Sequence, residues 1–165
     1  MANQKHVDLL LSGKTSWNNW RHTFHDVQAV EPDLHGADLH GMDLRNYNLY
    51  EADLTEANLQ DADLHDTNLR EADLRGVDLR RANLSDASLL KANLRWADMR
   101  GAILYRTDMR GADLAGSDLR EASMEATLLA KAKFPAANLS RVDLSEVDIS
   151  KAELRQADLK GAILG

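Results

Sequence analysis

Six histidines, His6, His22, His25, His35, His40 and His65, all fall within the first 65 residues, and imidazoles in that number invite a reading as metal ligands or general bases. Their spacing does not support it. His22 and His25 can share a helix face, but a zinc site needs at least a third convergent ligand. His35, His40 and His65 each follow a different copy of a short repeat, so nothing in the sequence draws them together. No cysteine is present, which removes disulfides, thiol catalysis and thiolate metal sites alike. No metal and no cofactor are expected.

Carboxylates are the second candidate chemistry, because Asp recurs in runs such as Ala37-Asp38-Leu39, Ala52-Asp53-Leu54 and Ala72-Asp73-Leu74. A general acid and its base need two environments that drive their pKa values apart. Here the same residue returns in the same slot, which suits side-chain hydrogen bonding to nearby backbone in turns and not catalysis. A convex surface of this kind also offers no evident pocket. The chain is not expected to be an enzyme.

What positions these residues is a period of five. From Leu34 to Leu164 a large apolar residue stands at every fifth position, and of these 27 centres 22 are Leu, the others being Met99, Met109, Met124, Phe134 and Ile149. Two positions earlier Ala occupies 17 of the 27 sites, and the residue between is Asp or Asn at 20 of them. Ser88, Ile103, Ser123, Leu128, Lys133, Glu153 and Ile163 are the exceptions. A fixed short period marks a repeat architecture.

Neither regular element can bury that period along a straight course. A helix advances about 100° per residue, so centres five apart scatter around its circumference. A straight strand alternates faces, so successive centres point to opposite sides. The chain must therefore turn a corner once per repeat. In each short extended stretch the centre and the small residue point inward together, with Asp or Asn outward between them. Outward residues such as Gly36, Gly41, Asn46 and Gly76 suit the tight turns that follow.

On these residues the chain resembles the pentapeptide-repeat family, whose motif of Ala, Asp or Asn, Leu and two variable residues it matches over about four fifths of its length. The period alone leaves three-sided coils open; the resemblance implies an all-β solenoid, a right-handed quadrilateral β-helix with four repeats per coil. Twenty-seven centres then make nearly seven coils, a rod roughly 30 Å long at about 4.8 Å per stacked strand. Four sides would place His35, His40 and His65 on three different faces. They would also stack Arg80, Arg100 and Arg120 in one column with Asp78, Asp98 and Asp118 beside them. Acids in that register neutralise much of the positive field, and nucleic acid is not an expected partner.

Residues 1–30 break the period and read as two short helices forming an α-helical N-terminal cap, with residues 31–165 as the β-helix of a single structural domain. Val7, Leu10 and Leu11 have helical spacing, Gly13 suits a C-terminal cap, and Thr15 or Ser16 suits the start of the next helix. Trp17, Trp20, Phe24 and Val27 line one face of that helix, to pack on oversized inward residues of the first coil, Pro32, Met42 and Tyr47. The apolar run Leu9–Leu11 is too short for a signal-peptide core, and no stretch approaches a membrane span, so the expected location is the cytoplasm and no membrane partner is expected.

Charge is uneven along the repeat. Residues 31–70 hold ten acids against Arg45 and Arg70, a net −8; residues 71–110 are net +2 and residues 111–165 net −2. Some members of the family that this chain resembles mimic DNA with an acidic rod and bind type II topoisomerases such as gyrase, and the first two coils share that charge. The arginine-rich band beyond them interrupts it. The leading expectation is a non-enzymatic protein-protein interaction or scaffold role with an unknown protein partner. Arg95, Trp96, Arg100, Tyr105 and Arg106 form the candidate partner patch, since exposed Trp, Tyr and Arg are enriched at interface hot spots. At the carboxyl end, Leu154, Leu159, Ile163 and Leu164 of the last coil are the candidate surface for a homodimer.

Overall fold

A computed structural model describes residues 1–23 and 31–165. Two helices, α1 (Gln4–Leu11) and α2 (Lys14–Thr23), precede a four-sided stack in which every bridged residue pairs in parallel with the residue twenty positions on, from Asp33↔Asp53 to Asn138↔Asp158. Twenty residues are four repeats of five, so the four sides follow from the pairing itself. Each side contributes one bridged residue per coil, and among the described residues only β1 (Asp143–Leu144) and β2 (Ile163–Leu164), which pair with each other, extend to two.

The five-residue unit has a simple internal logic. The centre's N–H donates to the next coil, as Leu34 N–H does to Asp53 O at 2.8 Å. Its carbonyl accepts from the small residue three positions on, as Leu34 O does from Ala37 N–H at 2.9 Å, closing a β-turn. The third residue of that turn has positive φ at nearly every corner, the requirement of a type II turn. Glycine and Asn46 meet it as expected, but so do Glu51, Arg81, Lys91, Trp96 and other bulky residues, each at a cost of about 1 kcal/mol for leaving the right-handed region. The ladder between coils holds them there.

Asp and Asn serve the same turn. The Asp33 Oδ1 accepts the N–H of His35 and the Asp63 Oδ1 that of His65, and this contact two residues forward recurs around the rod. Lys133, which has no acceptor to offer, is followed after its centre by Pro135, which has no N–H to satisfy. Inside, the leucine centres from Leu34 to Leu119 are completely buried and stacked with the alanines into one continuous core.

The two helices lie across the first coil and meet the polar groups that a preceding coil would otherwise take. The Asp33 N–H donates to His6 Nδ1 at 3.0 Å and the Asn48 N–H to Asn18 Oδ1 at 2.9 Å. The carbonyls of Asn48 and Tyr50 accept from Trp17 Nε1 and Arg21 Nη2, and Asn18 Nδ2 adds a bond to the corner carbonyl of Asn46. Trp17 is fully buried, Trp20 is half-buried with its ring centroid 5.2 Å from that of Trp17, Tyr47 is buried and Met42 half-buried. Asn3 caps α1 by accepting from Lys5 N–H, and Gly13 at φ +106° joins the helices. With only Ser12 and Gly13 between the helices, α2 starts at Lys14, and Thr15 and Ser16 fall inside its first turn instead of capping it. Phe24, His25 and Val27 lie outside the described residues.

Burial holds the His6 imidazole below its ordinary value of 6.5; Asp33 opposes that shift and Arg21 adds to it. Trp20 packs on the ring, with 5.1 Å between centroids. Because the folded pKa is the lower one, the contribution of neutral His6 is complete above pH 6.5 and is lost as pH falls below it. Urea unfolding followed by tryptophan fluorescence is expected to show a midpoint that declines from pH 7 to pH 5 in the wild type and declines less in His6→Gln, whose amide oxygen can still accept the Asp33 N–H. Parallel pH profiles for the two proteins would sink this assignment.

Candidate interaction surfaces

The polar residues of this rod are first of all engaged with one another. Among the described residues no group of three His, Cys, Asp or Glu is placed to hold a metal ion. His35 Nδ1 lies 2.6 Å from Thr55 Oγ1, and His65 Nε2 lies 3.1 Å from Asp66 Oδ2. The Arg100 guanidinium donates through Nε and Nη2 to both oxygens of Asp98, at 2.8 and 2.6 Å, and lies 3.8 Å from Asp118 on the next coil. Arg80 and Arg120 repeat this fork with Asp78 and Asp118.

These bonds fix the ionisation of the acids. Hydrogen bonding from the arginine two residues on holds Asp78, Asp98, Asp108 and Asp118 below the usual carboxylate range. Arg81, one coil away, does the same to Asp61. Such carboxylates stay charged at neutral pH and have no proton to give. The stacked column is an alternating ribbon of paired charges.

The coil arithmetic divides the residues of the candidate patch. Trp96 stands at one corner and Arg106 ten residues later, half a coil, at the diagonally opposite corner, with Arg100 near the corner between. Trp96 is 61% exposed and in the left-handed conformation at φ +59°. The column at its corner has Gly76 one coil before and Gly116 one coil after, so no side chain flanks the indole along the rod. The indole rests on Gly116, where an added Cβ would lie 2.7 Å from Trp96 Cδ1. Arg95 sits with Cζ 4.8 Å from the ring centroid and Nη1 3.4 Å from Asp113 Oδ2, tying the corner to the next coil.

At the opposite corner Tyr105 and Arg106 are joined by Ile103, which is 44% exposed. Arg106 Nε lies 2.9 Å from Asp86 Oδ1, and its Cζ is 5.9 Å from the Tyr105 ring centroid. Sequence reasoning did not select Ile103 or Leu128, which is 48% exposed. The signal was present, since both occupy slots that normally hold Asp or Asn. On the last coil Leu154 and Leu159 are half-buried, and Ile163 and Leu164 are 55% and 52% exposed.

Comparison with known proteins places these surfaces in context. The family model described as pentapeptide repeats matches with eight copies, over residues 33–70, 67–104, 87–125, 107–145 and 122–161. A pentapeptide repeat protein from the Arabidopsis thaliana thylakoid lumen is 24% identical with a TM-score of 0.57, over 58% of this chain and 66% of its own. That likeness concerns the fold alone, and the present chain spans about two thirds of that protein. HetL, a pentapeptide repeat protein of the cyanobacterium Nostoc involved in heterocyst differentiation regulation, is 30% identical over 77% of this chain and 72% of its own, with a TM-score of 0.26. QnrB1, a plasmid-mediated fluoroquinolone resistance protein, is 16% identical over 78% and 84%, with a TM-score of 0.40. No curated protein matches the sequence significantly.

Gly116 offers a direct check on the seating of Trp96. Gly116→Ala adds a methyl group into the indole and places a side chain at φ +68°. The expected result is a loss of about 1–2 kcal/mol in stability from strain and overpacking. Tryptophan emission should shift to the red as Trp96 lifts into water. An unshifted spectrum would mean that the ring does not rest on this glycine.

Proposed function

The chain belongs to the pentapeptide-repeat family, whose members form right-handed quadrilateral β-helices, and from that premise we propose that it is a non-enzymatic interaction or scaffold protein. In this reading residues 31–165 are a rod of nearly seven coils and residues 1–30 are the cap that closes its first coil. The observation that carries the reading is Trp96: a mostly exposed indole, cleared on both sides along its corner by Gly76 and Gly116 and braced by Arg95. An aromatic held rigidly on a corner gives a partner a large apolar contact at little cost in side-chain entropy. Arg100 lies at the next corner, and Tyr105 and Arg106 would belong to a second contact region and not to the same footprint.

The acidic strip of Glu31, Glu51, Asp53, Glu71 and Asp73 supports the alternative reading, a DNA mimic that binds a type II topoisomerase such as gyrase. Against it, Arg75, Arg80, Arg100, Arg110 and Arg120 are each paired to the aspartate two residues before, so the negative potential does not continue along the rod. The interaction reading therefore leads.

The proposal is tested by capture from a lysate with the wild-type protein, with Trp96→Ala plus Arg95→Ala, and with Tyr105→Ala plus Arg106→Ala as the opposite-corner control. Partners lost from the first variant and retained by the control are expected. An unchanged captured set in the first variant would remove the Trp96 corner from the proposal.

The same reading gives Leu154, Leu159, Ile163 and Leu164 a contact with a second copy, because exposed apolar side chains at the end of a stack recruit further strands. Light scattering at tens of micromolar is expected to give a dimer mass that Leu159→Glu plus Leu164→Glu reduces to the monomer. A wild-type monomer at that concentration would rule the contact out.

A further inference from the structure

The letters of the repeat never slip, yet the ladder does. Between Asp33 and Ile163 every side carries its bridge from coil to coil except at two places, Ser123 with Asp143 and Leu128 with Asp148. These gaps are on adjacent sides of the same pair of coils. The regular pattern would have Met124 N–H donate to Asp143 O, Leu129 N–H to Asp148 O, Asp143 N–H to Ala122 O and Asp148 N–H to Thr127 O, and none of these bonds forms. At the far edge Lys131 N–H donates to Lys151 O, where the spacing kept by Gly111 N–H and Ala130 O would give Ser150.

Three further observations coincide with the gap. Glu146 and Lys151 are the two corners between Gly36 and Gly161 without positive φ. A cavity of about 430 Å³ opens at the seam, lined by Ser123, Met124, Glu125, Asp143, Ser145 and Glu146. Leu128, beside the seam, is 48% exposed. On the other two sides the rungs Lys133↔Glu153 and Asn138↔Asp158 are intact, with Phe134 N–H and Leu139 N–H both bonded across at 2.8 Å.

The sequence supplies a cause on each side of the seam. Above it, Ser123 and Leu128 replace the Asp or Asn that would tie the following turn. Below it, Val142 and Val147 fill small inward slots where the facing coil has Ala122 and Thr127, and the β-branched Ile149 is the centre between the two open corners. Val77 alone in such a slot leaves its ladder whole, with Asp98 N–H donating to Val77 O at 3.0 Å. Two consecutive oversized sides facing two untied turns do not fit the regular spacing.

We propose that the arc 143–151 of the last coil, held on its far side by the pairing of β1 with β2, is a gate that swings away from residues 123–131 about a hinge formed by the rungs 133↔153 and 138↔158. Opening uncovers the Met124 and Leu129 side chains and a row of strand-edge groups while the core from Leu34 to Leu119 stays closed. The arc is the weakest cooperative unit of the rod, and its opening is local and needs no global unfolding.

The chain has no cysteine, so a single introduced thiol reports on this motion cleanly. Met124 and Met109 are both buried methionine centres; Met124 is at the seam, and Met109 lies fifteen residues earlier beside the formed rungs 88↔108 and 108↔128. Met124→Cys is expected to react with a thiol reagent under native conditions at least about tenfold faster than Met109→Cys. Global unfolding rates of both variants, measured in parallel, separate gate opening from general instability. Adding Val142→Ala and Val147→Ala to Met124→Cys is expected to bring its rate down toward that of Met109→Cys. Hydrogen exchange of the unmodified protein gives a readout free of substitutions: Lys131, bonded to the arc, should exchange at least about tenfold faster than Phe134 and Leu139 at the hinge. Equal thiol rates, equal exchange at these three amides, or a Met124→Cys rate unmoved by the two alanines would each overturn the proposal.

Discussion

The rod depends on one backbone contact repeated around its circumference, the N–H of each centre from Leu34 to Leu119 reaching the carbonyl nineteen residues on, as Leu54 reaches Asp73 and Leu74 reaches Asn93. That bond fixes the coil spacing. With spacing and period set, every corner must complete its turn in the same two residues, and positive φ becomes a demand of the stack and not a preference of the residue. Glu51, Arg81 and Trp96 accept a conformation that an isolated chain would avoid because leaving it would break the bonds on both neighbouring coils. An individual coil has no such support, which makes the stability of the rod a property of contacts between neighbours.

The same dependence explains which parts of the fold were legible in the letters. Period, inward residues and the Asp or Asn slots follow from side-chain direction alone, and Leu34 through Leu119 stand where that argument puts them. The left-handed corners were only half legible, since Gly36 and Asn46 announce themselves while Lys91 and Trp96 do not. The seam at 143–151 was not legible at all, because Val142-Asp143-Leu144 and Val147-Asp148-Ile149 keep perfect phase. The distortion comes from volume summed over two sides of a coil, which no single repeat reveals.

For the candidate surfaces the gap between sequence and structure is geometric. Arg95 and Trp96 are near Tyr105 and Arg106 along the chain, but ten residues is half a coil, and a square carries them to opposite corners. The residue twenty positions away is the true neighbour, which is why Gly116 decides how Trp96 is seated and Asp86 decides where Arg106 points. Sequence distance in a solenoid measures angle first and separation only second.

Charge follows the same rule. Counted along the chain, residues 71–110 are nearly balanced and the first two coils strongly acidic, yet what a partner meets is set by pairing within and between coils. Arg80, Arg100 and Arg120 each close a two-pronged contact with the aspartate on their own side and approach an aspartate on the next coil where one follows, so a column of three consecutive arginines has little net field. Glu31, Glu51 and Glu71 share a corner column whose next member is Lys91, 3.3 Å from Glu71, so the acidic run of that column belongs to its first coils. A partner reading this rod would thus feel an acidic corner near the amino-terminal helices and a neutral, hydrogen-bonded ribbon farther along. Apolar residues such as Trp96, Ile103 and Leu128 then remain to distinguish one side of the distal coils from another.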